Sequence, residues 1–192
     1  MPTTLLELPL ENVGPGPDPL RLRGVAEMVT PPDPTTTGEE TPAYDAVVVL
    51  FHRDHHCGNC RRQVRAVAER YDEFVSRSAQ VVSIVPEPRE RVEEWQDAYD
   101  LPFPICADPE ASAGEAIDQQ IRLGSLGERS DLLGRMPAAI VLDVRKSGSL
   151  EAVYEHHGRS RWDRPTVDDL LATVEACQGS RHEDDRADEA QP

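Results

Sequence analysis

The chain has 192 residues, with 36 Asp and Glu against 20 Lys and Arg and a formal charge of -16. That size supports one domain with a real hydrophobic core. Such an acidic balance argues against nucleic acid and anionic membrane surfaces as partners. The longest apolar run, Ala46 to Phe51, is far too short to span a bilayer, and the N-terminal MPTTLLELPLENV lacks a basic region followed by an apolar stretch. A cytoplasmic location is the expectation. Lys146 is the only lysine. Acid excess with arginine as almost the sole cation resembles the proteins of salt-adapted microbes, where carboxylates hold a hydration layer. A generally acidic protein from a GC-rich genome is the plainer alternative.

In chain order, residues 1–45 carry nine of the 17 prolines and read as a proline-rich extension. Within it, LLELPL and LRLRGVAEMV offer short elements for a sheet edge or face. Ala46–Phe51 (AVVVLF) has the continuous apolar pattern of a strand buried on both faces. After HRDHHCGNC, a helix is predicted to about Ser78, with Val64, Val67, Ala68, Tyr71, Phe74 and Val75 on one side. Gln80–Pro86 is a second buried strand, Glu90–Tyr99 a polar helix, Phe103–Cys106 a short strand and Glu110–Ile121 another helix. Ala138–Asp143 and Leu150–Glu155 form an antiparallel hairpin turning at Lys146–Ser149. Thr166–Cys177 closes the domain as a helix capped by Thr166. The domain thus spans residues 46–178, and 179–192 reads as an acidic, disordered tail. Alternating strands and helices demand parallel pairing with right-handed crossovers.

Four cysteines are too few for a secreted disulfide scaffold, but Cys57 and Cys60 form a C-x-x-C pair where a buried strand gives way to a helix. The helix N-terminus favours a thiolate over a thiol, and Arg53, Arg61 and Arg62 add positive charge. His55 and His56 are candidates for tuning that thiolate or shuttling a proton. Cys60 lies one turn on, placed to resolve what Cys57 attacks, and Gly58-Asn59 between them lets the backbone tighten. Two other readings stay open. One is an inert pair. The other is a zinc site drawing on His52, Asp54, His55, His56, Cys57 and Cys60, with His156-His157 or His182 supplying a second pair. Cys106 reads as a buried core thiol, with a resolving role as the alternative, and Cys177 as partly exposed. Trp95 and Trp162 read as packing residues, with Trp162 alternatively rimming the site.

Three segments resemble the thioredoxin-fold superfamily, and within it the AhpC/TSA peroxiredoxin-like branch: VVVLFHRDHHCGNCRRQV, LPFPICADPEASAGEAI and RMPAAIVLD. The resemblance covers roughly Ala46 to Ala176. It implies an α/β, three-layer thioredoxin-like fold with a mixed central sheet and a peroxiredoxin-type insertion. Cys57 would be the nucleophile and Cys60 the resolving thiol. Met136-Pro137 would occupy the place of the family's cis-proline, packed beside the dithiol, with the Met136 backbone pairing with a bound substrate strand. The implied activity is thiol–disulfide exchange or thiol-dependent peroxide reduction. It needs no cofactor beyond an external thiol reductant, thioredoxin-like or small. The substrate would be a disulfide-bearing protein or a peroxide. Departures from the peroxidase pattern are specific. Leu50 stands where the family has Pro, Asp54 where it has Thr or Ser, and Pro137 where it has a second arginine, leaving Arg135 as a possible substitute.

Overall fold

The computed structural model describes residues 3–30, 41–122, 134–145 and 150–188, with backbone alone for 41, 122 and 179–188. A six-stranded sheet has the order β1 (Glu11–Asn12), β6 (Ile105–Ala107), β5 (Ala79–Val85), β4 (Ala46–Phe51), β9 (Ala138–Asp143) and β10 (Glu151–His157), and two separate two-stranded pairs are formed by β2 (Val29–Thr30) with β3 (Thr41–Pro42) and by β7 (Ile121–Arg122) with β8 (Gly134–Arg135). Strands β4, β5 and β6 run parallel, and β9 and β10 add antiparallel partners on the other side of β4. The parallel centre and antiparallel flank match the predicted mixed sheet. The turn expected at residues 146–149 lies outside the described residues.

Strand β4 explains the three layers. All six of its residues are buried, because alternate side chains enter opposite cores. Val48 and Leu50 pack with Val64, Val67, Phe74, Trp95 and Leu170. Those residues come from α3 (Gly58–Glu69), α4 (Tyr71–Val75), α5 (Arg89–Tyr99) and α7 (Val167–Asp188). Val47, Val49 and Phe51 pack instead with Leu5, Leu6, Leu10, Leu20, Leu22 and Val25.

Residues of LLELPL and LRLRGVAEMV therefore pack on this face of the sheet, as the short elements foreseen there allowed, together with Ala113 and Ile117. Short helices α1 (Thr3–Glu7) and α2 (Leu22–Ala26) supply the leucines, and β1 pairs antiparallel with β6 at the sheet edge. Asn12 organises the GPGPDP turn: its Nδ2 donates to the Pro15 and Pro17 carbonyls, and its Oδ1 accepts from Gly14 N–H.

Several element boundaries moved for local reasons. The long helix predicted to Ser78 breaks at Arg70 (φ -120°, ψ 20°), which resets the helical phase. Phe74 stays buried while Val75 turns out to solvent at 53% exposure. The helix predicted over 110–121 shrinks to α6 (Ser112–Ala116), bracketed by left-handed residues Ala111 and Asp118 (φ 56° and 53°). Asp108 caps it, accepting from the Ser112 and Ala113 N–H groups. The closing helix α7 continues as helical backbone to Asp188, past the predicted end at Cys177. Among the described residues no helix is long and apolar enough to cross a membrane.

Candidate active site

The site is built on the junction of β4 and α3. Strand β4 ends at Phe51, and the chain crosses His52–His56 before Cys57 takes the N-cap position of α3, with extended geometry at φ -63°, ψ 100°. Its Sγ accepts the Cys60 N–H at 3.2 Å, meeting one of the helix's unpaired donors. Cys57 and Cys60 are joined as a disulfide, with Cα atoms 5.2 Å apart. Cys60 is fully buried, whereas Cys57 is 4% exposed and lines a cavity of about 210 Å³. Access to the pair is therefore through Cys57. Gly58 keeps ordinary helical geometry with open space beside its Cα, so the turn does not depend on glycine there.

Arg53, Gly58, Asn59, Arg62, Arg161 and Trp162 form the rest of that cavity wall. A second cavity of about 430 Å³ shares Asn59, Arg62 and Trp162 and runs on past Gln63, Ala66, Arg164 and Pro165. The loop leading into α7 makes the far wall. It is stitched to α3 by Asn59 Nδ2 donating to Arg161 O at 3.1 Å and Gln63 Nε2 donating to Pro165 O at 3.3 Å. Trp162 is 62% exposed with its ring under the Arg161 guanidinium at 4.6 Å, so it rims the site instead of packing in a core.

Arg164 is the residue that sequence reading missed. Its Nη2 lies 3.8 Å from Cys60 Sγ, and its Nη1 donates to Gln63 Oε1 at 3.0 Å. Burial, and then the charges of Arg53 and Arg62, pull its pKa down to about 10. It keeps its charge at neutral pH. The signal was present in GRSRWDRP, but 104 positions separate it from Cys60 and nothing local connects the two.

The other expected residues divide. Arg53 is buried at the cavity wall, with Nε donating to the Arg135 carbonyl at 2.6 Å. The Arg135 guanidinium instead reaches toward Glu115, 4.0 Å away. Arg61 donates to the His56 carbonyl and holds the turn. His55 is buried against α5, its Nε2 3.1 Å from Glu94 and its ring 5.9 Å from Trp95; His56 is exposed. Neither histidine lines either cavity.

The expected cis bond at Met136-Pro137 is absent: among the described residues the cis peptide is Asp18–Pro19. Nor is the Met136 backbone open to a substrate strand. Its N–H donates to Gln120 O and its carbonyl accepts Gln119 Nε2, each at 2.8 Å. Pro137 anchors the site from a distance, its carbonyl accepting the Gly158 N–H at 2.8 Å where the α7 loop begins.

Behind the turn, His52 is fully buried and bonded to Ser83 Oγ at 2.9 Å. Burial, and secondarily Arg164, lowers its pKa to about 3, so it is a neutral packing residue. Cys106 is buried as expected, and burial pushes its thiol up. Cys177 is also buried, correcting the exposed position foreseen for it, and burial again raises its pKa. Among the described residues no group of three or more His, Cys, Asp or Glu is spaced to hold a metal ion, so the zinc alternative finds no second ligand pair there; the side chain of His182 lies outside the described residues.

Comparison with known proteins is consistent with this geometry. No curated protein matches the chain. Solved structures do. Peroxiredoxin Q from Xanthomonas campestris shares 15% identity over 92% of this chain and 94% of its own, with a TM-score of 0.67. The bacterioferritin comigratory protein of the same organism, described for its alkyl peroxide reduction activity, shares 14% over 92% and 95%, also at 0.67. Peroxidoxin BcpB from Mycobacterium tuberculosis shares 18% over 68% of this chain and 79% of its own, at 0.55. At these identities the likeness is one of fold. The family model described as AhpC/TSA spans residues 35–146, taking in the central strands and the Cys57–Cys60 turn. With the four central strands and the dithiol turn inside that match, which covers more than half of the chain, the chain belongs to the AhpC/TSA family.

Proposed function

We propose that this protein is a thiol–disulfide oxidoreductase whose electron-carrying group is the Cys57–Cys60 pair. The observation that supports it most is the disulfide's position, bridging the first turn of α3 with Cys57 opening onto an arginine-lined cavity. In the dithiol form, the helix N-terminus and nearby guanidinium groups stabilise a Cys57 thiolate. That thiolate attacks a substrate disulfide, forming a mixed disulfide and releasing one substrate thiol. Cys60 then attacks Cys57 Sγ, releasing the second thiol and closing the internal disulfide. Arg164 beside Cys60 favours the thiolate form of that second sulfur. An external thiol, thioredoxin-like or small, returns the pair to the dithiol, and no other cofactor enters the cycle.

Family membership also favours a second reaction of the same sulfur. Cys57 would attack a peroxide oxygen, giving a sulfenic acid and an alcohol or water; Cys60 would condense with it and release water. Asp54 at the family's hydroxyl position and Pro137 at its second arginine weaken peroxide selectivity, so disulfide exchange is the primary reading. The acidic composition and two buried cysteines outside the disulfide fit a reducing cytoplasm, with a saline one accounting for the arginine-over-lysine bias.

The test is insulin reduction by the pre-reduced protein beside peroxide consumption under the same thiol reductant. Disulfide exchange faster than peroxide turnover, with both lost in Cys57→Ser, is the expected result. Equal activity in wild type and Cys57→Ser would overturn the assignment.

A further inference from the structure

The charge around the dithiol runs opposite to the charge of the molecule. In a chain of net charge -16, Arg70, Arg77, Arg89 and Arg145 each pair with a carboxylate. Arg62, Arg161 and Arg164, which line the cavity at Cys57 or the one that shares its Asn59, Arg62 and Trp162 wall, have no carboxylate partner among the described residues. Arg164 carries this furthest, since its Nε is buried with no hydrogen-bond partner. Burying a cation without a counter-ion costs stability, and a fold with so many acids had ready means to supply one. The cavities also suit a small molecule: about 430 Å³ lies in the range of small-ligand sites, and the exposed Trp162 ring offers an apolar wall.

From this charge and shape we infer that the channel past Asn59, Arg62, Trp162 and Arg164 binds a small thiol, or its disulfide, that bears a carboxylate. The inference rests on the exchange reaction proposed above and names the thiol class that serves it. The carboxylate sits among the guanidinium groups while the sulfur reaches Cys57. In the reducing direction, the thiolate of one such molecule attacks Cys57 Sγ. An S–S bond forms to Cys57, the Cys57–Cys60 bond breaks, and Cys60 leaves with the electron pair beside Arg164. A second molecule attacks the sulfur of the first, releasing a small symmetric disulfide and the Cys57 thiolate. Two thiols are oxidised and one protein disulfide is reduced.

Three probes of differing charge test it: 3-mercaptopropionate, 2-mercaptoethanol and cysteamine. The rate at which each opens the Cys57–Cys60 disulfide is followed by quenching, alkylation and peptide mass. Each rate is normalised to the same thiolate's rate with a neutral model disulfide. The expected result is a preference of about tenfold for the carboxylate over the neutral thiol at low ionic strength, with the cation slowest, at the lower end of what a focused charge field gives. That preference falls steeply with added salt. Arg62→Glu should invert the order, and Arg161→Gln should shrink the ratio. Equal normalised rates for the three probes, or an order that Arg62→Glu leaves unchanged, would overturn the inference while leaving the exchange reaction intact. A carboxylate preference confined to an acidic protein disulfide would overturn it as well. Failure of all three probes to open the disulfide, with insulin reduction by the pre-reduced protein retained, would overturn the inference alone; loss of insulin reduction as well would remove the exchange reaction itself.

Discussion

Replacing Arg164 by Gln isolates what a charge behind the second sulfur contributes. When a thiolate attacks Cys57, Cys60 departs as an anion 3.8 Å from the Arg164 guanidinium. A full unit pair at that separation interacts by about 1 kcal/mol in water and about 4 kcal/mol at an effective dielectric of about 20. Arg164 is half-buried, so its surroundings lie between those limits. If roughly half the charge has developed on the leaving sulfur at the transition state, the barrier rises by about 0.5–2 kcal/mol, a slowing of roughly two- to thirtyfold. The assay is the rate of disulfide opening by neutral 2-mercaptoethanol at pH 7, with the denaturation midpoint measured alongside to verify folding. Because Arg164 gives up its proton near about 10, the gap between wild type and variant should narrow as pH passes that value. Equal rates at pH 7, or a gap that persists unchanged well above pH 10, would refute this reasoning.

His52 is buried neutral, its pKa held at about 3 against 6.5 when unfolded. The unfolded chain therefore takes a proton there that the folded chain refuses. Above pH 6.5 this has no effect; as pH falls from 6.5 toward 3 it removes up to about 1.4 kcal/mol per pH unit. Denaturant midpoints between pH 7 and 4 should fall less steeply in His52→Gln, and an identical slope would contradict the account. Leu20→Ala should cost about 2–5 kcal/mol, since Leu20 is fully buried in the second core. A midpoint unchanged from wild type would return residues 3–30 to the status of an appendage. Gly58→Ala should leave exchange and stability nearly unaltered. Gly158→Ala should depress both, because an added Cβ meets the Pro137 carbonyl at 2.8 Å and displaces the α7 loop. The reverse ranking of the two glycine variants would show that the loop is not what shapes the cavity.

What the sequence revealed, and what it hid, follows from the range of the forces involved. AVVVLF announced a strand covered on both sides because six consecutive apolar residues have no other stable place. The C-x-x-C pair could be placed because strand end, helix start and both sulfurs lie within ten residues. The N-terminal elements were legible as additions to a sheet edge or face, but not their depth of burial, because their leucines are spread among prolines with no period of 3.6 or 2. Arg164 was hidden by chain distance, since 104 positions separate it from Cys60, whereas Trp162 had been foreseen as an alternative rim of the site. Met136-Pro137 was misplaced for a related reason: nothing local reveals that Gln119 and Gln120 already occupy the Met136 backbone.

The most direct test of the central claim is to trap the mixed disulfide in Cys60→Ser and locate it by peptide mass. The reduced variant, given a disulfide substrate, should accumulate a stable adduct on Cys57, and Cys57→Ser treated alike should form none. An adduct on Cys106 or Cys177 in place of Cys57, or undiminished turnover in Cys60→Ser, would contradict a mechanism in which Cys57 attacks and Cys60 resolves.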